Sequence, residues 1–158
     1  MQKTQNKKTK KKEVVVAVSG GFDPVHIGHV RMFERAKKLG TKLVVILNND
    51  NWLRKKKGFV FMPEHERCEL IGGFRAVDDV VLTKHVPDTD DPSVCVALRA
   101  VKPNVFCNGG DRVKHNIPEV AVCDELGIKM VFNIGAGGKV QSSSWLLKTY
   151  FDNLKKHE

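Results

Sequence analysis

The chain has 158 residues, of which 41% are hydrophobic and 28% are charged, and its formal net charge is +9. These values are typical of one soluble globular domain with a single core. No apolar run approaches the roughly 20 residues that a membrane-spanning helix needs. The basic N-terminus also lacks the apolar stretch of a secretory signal. We therefore expect no membrane partner and a single domain over residues 13–158.

The excess positive charge lies mostly in residues 1–12, which hold six lysines and no acidic residue. The remaining residues include 21 basic and 18 acidic side chains, a net charge of +3. A segment like 1–12 is expected to be a disordered, solubilising tail, with weak polyanion binding or targeting as the alternatives. The nearly balanced charge of the body does not favour a nucleic-acid partner.

The four cysteines, Cys68, Cys95, Cys107 and Cys123, are far apart and form no CxxC pair. This spacing predicts neither a zinc site nor a disulfide framework. We expect reduced, mostly buried thiols and a cytoplasmic location.

Strand and helix patterns alternate along the body. β-branched and apolar runs predict strands, and apolar residues at a helical period predict helices. The predicted strands are residues 13–19, 41–47, 79–83, 105–107 and 128–133. The predicted helices are residues 28–39, 63 to about 76, 92–101, 118–126 and 142 to about 154. Between the second strand and second helix, Lys55, Lys56, Lys57 and Gly58 are expected to form a basic loop.

This alternation predicts an α/β fold, a Rossmann-like parallel sheet of about five strands with helices on both faces. In such sheets ligands bind beyond the carboxyl ends of the strands. Three glycine-rich segments follow predicted strands: SGGFD at 19–23, NGGDR at 108–112 and GAGGK at 135–139. We expect all three at one edge of the sheet, which is therefore the predicted site.

Two histidines lie at the start of the first predicted helix. His26 precedes the helix and His29 lies in its first turn, so both rings share one face. Gly20 and Gly21 let the backbone approach a phosphate closely, and a helix N-terminus binds anions through its unpaired N–H groups. The pattern predicts a phosphate site. A zinc pair would lack an evident third ligand, and a structural role for both histidines is the other interpretation.

From about residue 14 to residue 150, the sequence resembles the cytidylyltransferase-like nucleotidyltransferases. The family's hallmark, Gly-Phe-Asp followed by His-x-Gly-His, occurs as GFD at 21–23 and HIGH at 26–29. Further segments are similar to the family's elements in the same order: ERAKKLG before LVV, EHERCELI, AVDDVV, NGGDR and VQSSSWL. HIGH also occurs in class I aminoacyl-tRNA synthetases, but the chain is short for such an enzyme. The resemblance implies a HUP-like nucleotidyltransferase fold.

The resemblance also implies a reaction, in which an acceptor phosphate or phosphonate oxygen attacks the α-phosphorus of a nucleoside triphosphate and pyrophosphate leaves. His26 and His29 would hold phosphate oxygens as charge develops, and Arg67 would bind the acceptor or the triphosphate. A lysine would contact the acceptor or the α-phosphate. Lys57 matches the family lysine best, with Lys55 and Lys56 as alternatives. Mg²⁺ is implied because it neutralises triphosphate charge.

The implied nucleotide-binding residues are Gly20, Gly21, Phe22, Asp23, Gly109, Gly110, Asp111, Ser142, Ser143 and Ser144. The choice between CTP and ATP stays open, and the acceptor is expected to be a sugar phosphate, a polyol phosphate or a phosphonate. A homodimer is compatible with the sequence. The alternative function is a non-catalytic nucleotide- or RNA-binding protein on the same fold.

Overall fold

A computed structural model describes residues 12–109, 117–135 and 140–156. The strands within these ranges are Val15–Gly20 (β1), Lys42–Leu47 (β2), Asp79–Leu82 (β3), Val105–Cys107 (β4) and Lys129–Val131 (β5). The helices are Ile27–Lys37 (α1), Asp50–Lys57 (α2), Glu64–Gly72 (α3), Cys95–Val101 (α4), Glu119–Leu126 (α5) and Ser143–Leu154 (α6).

The strands form one parallel sheet in the order β3-β2-β1-β4-β5. β1 lies at the centre, where all six of its residues pair with β2 and three of them also pair with β4. The chain builds outward from β1 on one side, then returns to build β4 and β5 on the other. The predicted Rossmann-like α/β fold is confirmed, and its switch point lies between β1 and β4.

Side chains of the central strands are buried on both faces of the sheet. Val16 and Val18 pack in a cluster that contains Phe33 of α1 and other residues of α1 and α3. Ala17, between those two valines, packs instead with Leu98 of α4 and with residues of α5. This alternation is the two-residue period of a strand covered by helices on both sides.

The segment α2 is the main departure from the sequence prediction, because the three lysines at 55–57 end a helix and do not form a loop. Asn49 caps this helix, since its side-chain oxygen accepts a hydrogen bond from the N–H of Trp52 at 3.1 Å. Leu53 is the residue that α2 buries. Gly58 ends the helix in the left-handed conformation at φ 83°. An eight-residue helix with one buried side chain is too short to show a helical period, so its caps were the usable signal.

The remaining elements differ from prediction mainly at their ends. The helix predicted from 63 to about 76 ends at Gly72, and the one predicted from 92 begins at Cys95. The last strand is limited to Lys129–Val131. No helix among the described residues is both long and apolar enough to cross a membrane.

Candidate active site

The histidine-bearing loop and α6 meet at the carboxyl edge of the sheet. β1 ends at Gly20, and the loop that follows leads into α1 through His26. Ser143, at the start of α6, donates a hydrogen bond from its hydroxyl to the carbonyl of Pro24 at 2.8 Å. This contact spans 119 residues of sequence and brings the N-termini of α1 and α6 together.

The two histidines form a reciprocal cap on α1. Nδ1 of His26 accepts from the N–H of Gly28 at 3.1 Å, and Nδ1 of His29 accepts from the N–H of His26 at 3.3 Å. The two rings stack with their centroids 3.7 Å apart and their planes at 25°. Because Nδ1 of each ring accepts a backbone proton, the neutral form of each carries its own proton on Nε2. The cap therefore uses Nδ1 of each ring, and Nε2 keeps the proton of the neutral ring.

Burial makes His29 a neutral donor. Its pKa is lowered from 6.5 to about 3, first by burial and then by the nearby charges of His26 and Lys57. The ring of Phe22 packs against His29 edge to face at 4.8 Å and is itself buried. His29 therefore stays uncharged near neutral pH, where it can stabilise an anion by hydrogen bonding but is not a ready proton donor.

Lys57 is the lysine of α2 that reaches this site. Its Nζ donates to the carbonyl oxygen of Asp23 at 3.0 Å. Burial lowers its pKa, the positive charge of Arg67 lowers it further, and Asp23 opposes both effects. Its positive charge also lowers the pKa of His29.

Asp23 contacts the protein in place of the expected nucleotide. The residue is fully buried, and its two carboxylate oxygens accept from the backbone N–H groups of Phe61 at 2.8 Å and Met62 at 2.6 Å. The carboxylate thus holds the loop that leaves α2 against the loop that leaves β1. Both oxygens are occupied, so this structure gives no support for a direct nucleotide contact by this side chain.

Arg67 also differs from expectation. Its side chain has no exposed surface. Four of its five N–H donors bond to protein groups: the carbonyls of Met62 at 2.8 Å, Gly21 at 2.7 Å and Asn48 at 2.7 Å, and the carboxylate of Asp50 at 2.7 Å. A guanidinium enclosed in this way has no surface to offer an acceptor or a triphosphate. The expected direct contact does not fit the structure, and Arg67 instead joins four segments that surround the site.

The three serines of the last helix have different environments. Ser142 caps α6 by accepting from the N–H of Trp145 at 3.1 Å, and the hydroxyl of Ser143 is bonded to Pro24. Ser144 is exposed. Ser142 therefore has the capping role. The groups left for an anion are the exposed hydroxyl of Ser144 and the N-terminal backbone of α6.

The glycines of the first loop are required by packing. A Cβ on Gly20 would lie 2.8 Å from the ring of Phe22, and one on Gly21 would lie 2.8 Å from a methyl of Leu53 in α2. Gly109, after β4, is similarly close to the sulfur of Met32. Gly110 and Asp111 lie outside the described residues, as do residues 136–139 of the third glycine-rich segment.

Asp50 and the loop at residues 61–62 were missed as parts of the site. The sequence NNDN at 48–51 follows β2 and contains Asn49, a favourable N-cap residue. Recognising that cap would have placed Asp50 in the first turn of a helix and Lys57 at its end. The pairing of Asp50 with Arg67 links residues 17 apart and has no local signal.

The described residues contain no group of three or more histidine, cysteine, aspartate or glutamate side chains placed to hold a metal ion. Asp23 is not available for this purpose, because its carboxylate is bonded to backbone N–H groups.

Comparison with known proteins shows the family. The family model described as cytidylyltransferase-like matches residues 17–128, a range that contains both histidines, Lys57 and Arg67. The chain belongs to the cytidylyltransferase-like family and is, by class, a nucleotidyltransferase.

FAD synthases and bifunctional HldE proteins are among the relatives to which this chain is similar. The chain is 35% identical to the FAD synthase of Pyrococcus horikoshii over 102 residues, 64% of this chain and 66% of that protein. It is 32% identical to the FAD synthase of Thermococcus sibiricus, covering 78% of each. It is also 34% identical to the bifunctional protein HldE of Azorhizobium caulinodans over 131 residues, 82% of this chain but only 26% of that protein.

A solved structure shares the fold. The lipopolysaccharide core biosynthesis protein of Thermoplasma volcanium superposes with a TM-score of 0.64 and 25% identity. The match covers 77% of this chain and 97% of that one.

Proposed function

We propose that this protein transfers the nucleotidyl group of a nucleoside triphosphate to a phosphorylated small molecule and releases pyrophosphate. One observation carries the proposal: a stacked pair of histidines caps α1 at the carboxyl edge of the sheet, with Lys57 beside it. The arrangement offers Nε2 donors and an ammonium group to one anion.

The reaction needs one bond to form and one to break. A phosphate oxygen of the acceptor forms a bond to the α-phosphorus, and the bond from that phosphorus to the bridging oxygen of the β-phosphate breaks. The pair of electrons leaves with pyrophosphate. His26 and His29 donate from Nε2 to phosphate oxygens, and Lys57 offsets the negative charge between acceptor and triphosphate. Catalysis comes from positioning and charge stabilisation, without a covalent enzyme intermediate.

Mg²⁺ is expected to enter with the triphosphate. We expect the ion to be held mainly by phosphate oxygens and water. Its chemical contribution is to neutralise triphosphate charge. Removing it with a chelator should abolish turnover, and adding Mg²⁺ should restore it.

For the nucleotide we propose ATP ahead of CTP. The relatives from Pyrococcus horikoshii and Thermococcus sibiricus are named FAD synthase, and FAD contains an adenylyl group. For the acceptor we propose a polyol phosphate. The FMN half of FAD carries its phosphate on a ribityl chain and so belongs to this class. FMN is therefore the first acceptor to test, followed by glycerol phosphate and sugar phosphates.

The test is pyrophosphate release, measured for ATP and CTP with Mg²⁺ against each acceptor. We expect release only when a triphosphate and a phosphorylated acceptor are both present. His29→Gln should lower turnover by about 10²–10³-fold, the loss typical of removing one preorganised donor. Glutamine at this position can keep the cap on α1, so folding should survive. His65→Ala, at an exposed histidine of α3, is the matched control and should leave turnover unchanged.

Two results would contradict the proposal. Full activity in His29→Gln would show that the reacting phosphates lie elsewhere. Absence of release with every pair, together with salt-sensitive RNA binding that persists without residues 1–12, would support a non-catalytic RNA-binding protein.

A homodimer is the assembly that the surface of α6 supports. Five large apolar side chains of this helix are exposed by 37–55%: Trp145, Leu146, Tyr150, Phe151 and Leu154. If each buries on the order of 100 Å², a symmetric pair of helices would bury about 1,000 Å², which is near the lower limit for a specific interface. Light scattering on Tyr150→Glu, with Lys156→Glu as the control on an exposed polar residue, tests this assembly.

A cytoplasmic location is part of the same proposal. All four cysteines are free thiols, and burial raises the pKa of Cys107 and Cys123 to about 11. Such thiols suit a reducing compartment. Microscopy of a tagged full-length chain tests this location.

A further inference from the structure

Arg67 contacts the first residue of α2 and the loop that follows this helix. Asp50 is the first residue of that helix, and its Oδ1 accepts from Nη2 of Arg67 at 2.7 Å. Met62 lies in the loop that leaves the helix, and its carbonyl accepts from Nε of Arg67 at 2.8 Å. Lys57 is the last residue of α2. One buried side chain therefore holds the first residue of α2 and the loop after it, on either side of the lysine of the site.

The same guanidinium fixes α2 relative to the sheet. Nη1 donates to the carbonyl of Gly21, just after β1, and to that of Asn48, just after β2, each at 2.7 Å. Gly21 begins the loop that leads to the two histidines. Arg67 thus sets the position of the lysine helix against the histidine loop.

Asp23 provides a second connection between the same two segments. Its carboxylate binds the backbone N–H groups of Phe61 and Met62, and its carbonyl accepts from Nζ of Lys57. Arg67 holds the carbonyl of Met62 while Asp23 holds its N–H. The peptide units on both sides of this residue are therefore fixed, and Lys57 is held by the residue that fixes them.

A lysine could not replace this arginine. The planar guanidinium donates to four acceptors that belong to four different segments, whereas an ammonium group has three donors at a single point. A residue that only contributed positive charge to a ligand would tolerate the exchange far better. The number and spread of these bonds thus indicate a positioning role.

From these contacts we infer that Arg67 is a positioning residue, which acts on turnover by holding Lys57 at the histidine pair and does not itself touch a substrate. The inference rests on the proposed nucleotidyl transfer at this site.

A double-mutant cycle on kcat tests the inference, with Arg67→Lys, Lys57→Ala and the combined variant. We expect Arg67→Lys to lower kcat by at least about 30-fold while the Kd for the Mg²⁺ complex of ATP changes less than about threefold. In the Lys57→Ala protein, the same exchange should lower kcat by less than about threefold, because the residue it positions is gone. Arg99→Lys is the matched control, since Arg99 forms a bidentate pair with Glu125 on the surface.

Asp50→Asn gives a milder variant should Arg67→Lys fold poorly, because the amide oxygen can still accept from Arg67 while the charge is lost. Its expected loss in kcat is about three- to tenfold, again absent without Lys57. Effects that multiply in the combined variants would show that Arg67 acts independently of Lys57 and would overturn the inference. A loss of triphosphate affinity in place of kcat would instead make Arg67 a ligand-binding residue.

Amide hydrogen exchange separates this inference from the proposed function, because it needs no substrate. In Arg67→Lys, exchange at Phe61 and Met62 should accelerate more than about tenfold, while Val122 and Cys123 in α5 stay unchanged. Unchanged exchange at the two loop amides would overturn the positioning role even in an active enzyme. If no acceptor supports turnover in the wild-type chain, the proposed function fails, and the exchange data alone decide whether Arg67 holds the loop.

Discussion

At the scale of single residues, the site depends on groups whose charge has been reduced by burial. His29 is the main case, because its ring is enclosed by Phe22 on one side and stacked on His26. A neutral imidazole gives a hydrogen-bond donor with little pH dependence above its lowered pKa of about 3. The folded chain holds a histidine that is not ionised near neutral pH, and the free energy of unfolding therefore depends measurably on pH.

The pKa of His29 predicts a loss of stability in acid. The unfolded chain binds a proton at this histidine near pH 6.5, whereas the folded chain binds it only near pH 3. Between these values the unfolded state holds more protons, so the free energy of unfolding falls as the pH decreases from about 6.5. The expected contribution is about 2 kcal/mol between pH 7.5 and pH 5.

Urea unfolding at pH 7.5 and pH 5 measures this loss in the wild-type chain and in His29→Gln. The variant should lose about 2 kcal/mol less on acidification, since glutamine does not titrate. His65→Gln, at an exposed histidine of α3, is the control and should behave like the wild type. Equal acid sensitivity in the wild type and His29→Gln would mean that His29 is not held neutral by the fold.

At the scale of elements, local signals predicted the strands and most helices. β1 and β2 were identified because each is a run rich in β-branched and apolar residues, and β1 buries three and β2 five of its six residues. α2 was missed because it buries only Leu53 and presents four consecutive basic residues, 54–57. Its position is set by tertiary contacts, which include the bonds of Arg67 and the packing of Leu53 on Gly21.

Gly21→Ala should displace α2. The new Cβ would lie 2.8 Å from Leu53 and 3.2 Å from Trp52, both side chains of that helix. Overpacking of this kind costs about 1–3 kcal/mol, and the shift should also move Lys57 and lower turnover. Gly72→Ala is the matched control, because the nearest atom to a Cβ there is a methyl of Val80 at 3.9 Å, an ordinary contact. Thermal unfolding and pyrophosphate release measure both effects, and a Gly21→Ala protein with wild-type values would show that α2 is not fixed by this contact.

At the scale of the whole molecule, the order of the elements predicted the fold and the edge that the loops share, but not the bonds that each residue makes there. Parallel strands place their carboxyl ends together, so the loops after β1 and β4 had to share an edge. Motif resemblance assigned Asp23 and Arg67 to ligands. In the structure, the carboxylate of Asp23 bonds to backbone groups 38 and 39 positions away. The guanidinium of Arg67 bonds to residues between 5 and 46 positions away. No local pattern in the sequence could indicate these pairings.

The lysine-rich segment, residues 1–12, belongs to this scale because it carries six of the nine net positive charges of the whole chain. The hydrogen bonds that join the start of the body to the sheet begin at Val14, whose N–H and carbonyl both pair with Thr41. Lys12 and Glu13 are exposed.

Deleting residues 1–12 should therefore leave the melting temperature and steady-state turnover unchanged, while the net charge falls from +9 to +3. Any binding to heparin or RNA should weaken and lose its salt dependence, because six cations are removed. Thermal unfolding, pyrophosphate release and a salt titration of binding measure the three effects. A large loss of turnover in the truncated chain would show that this segment supplies a group to the site. Residues 13–158 would then not be sufficient for catalysis.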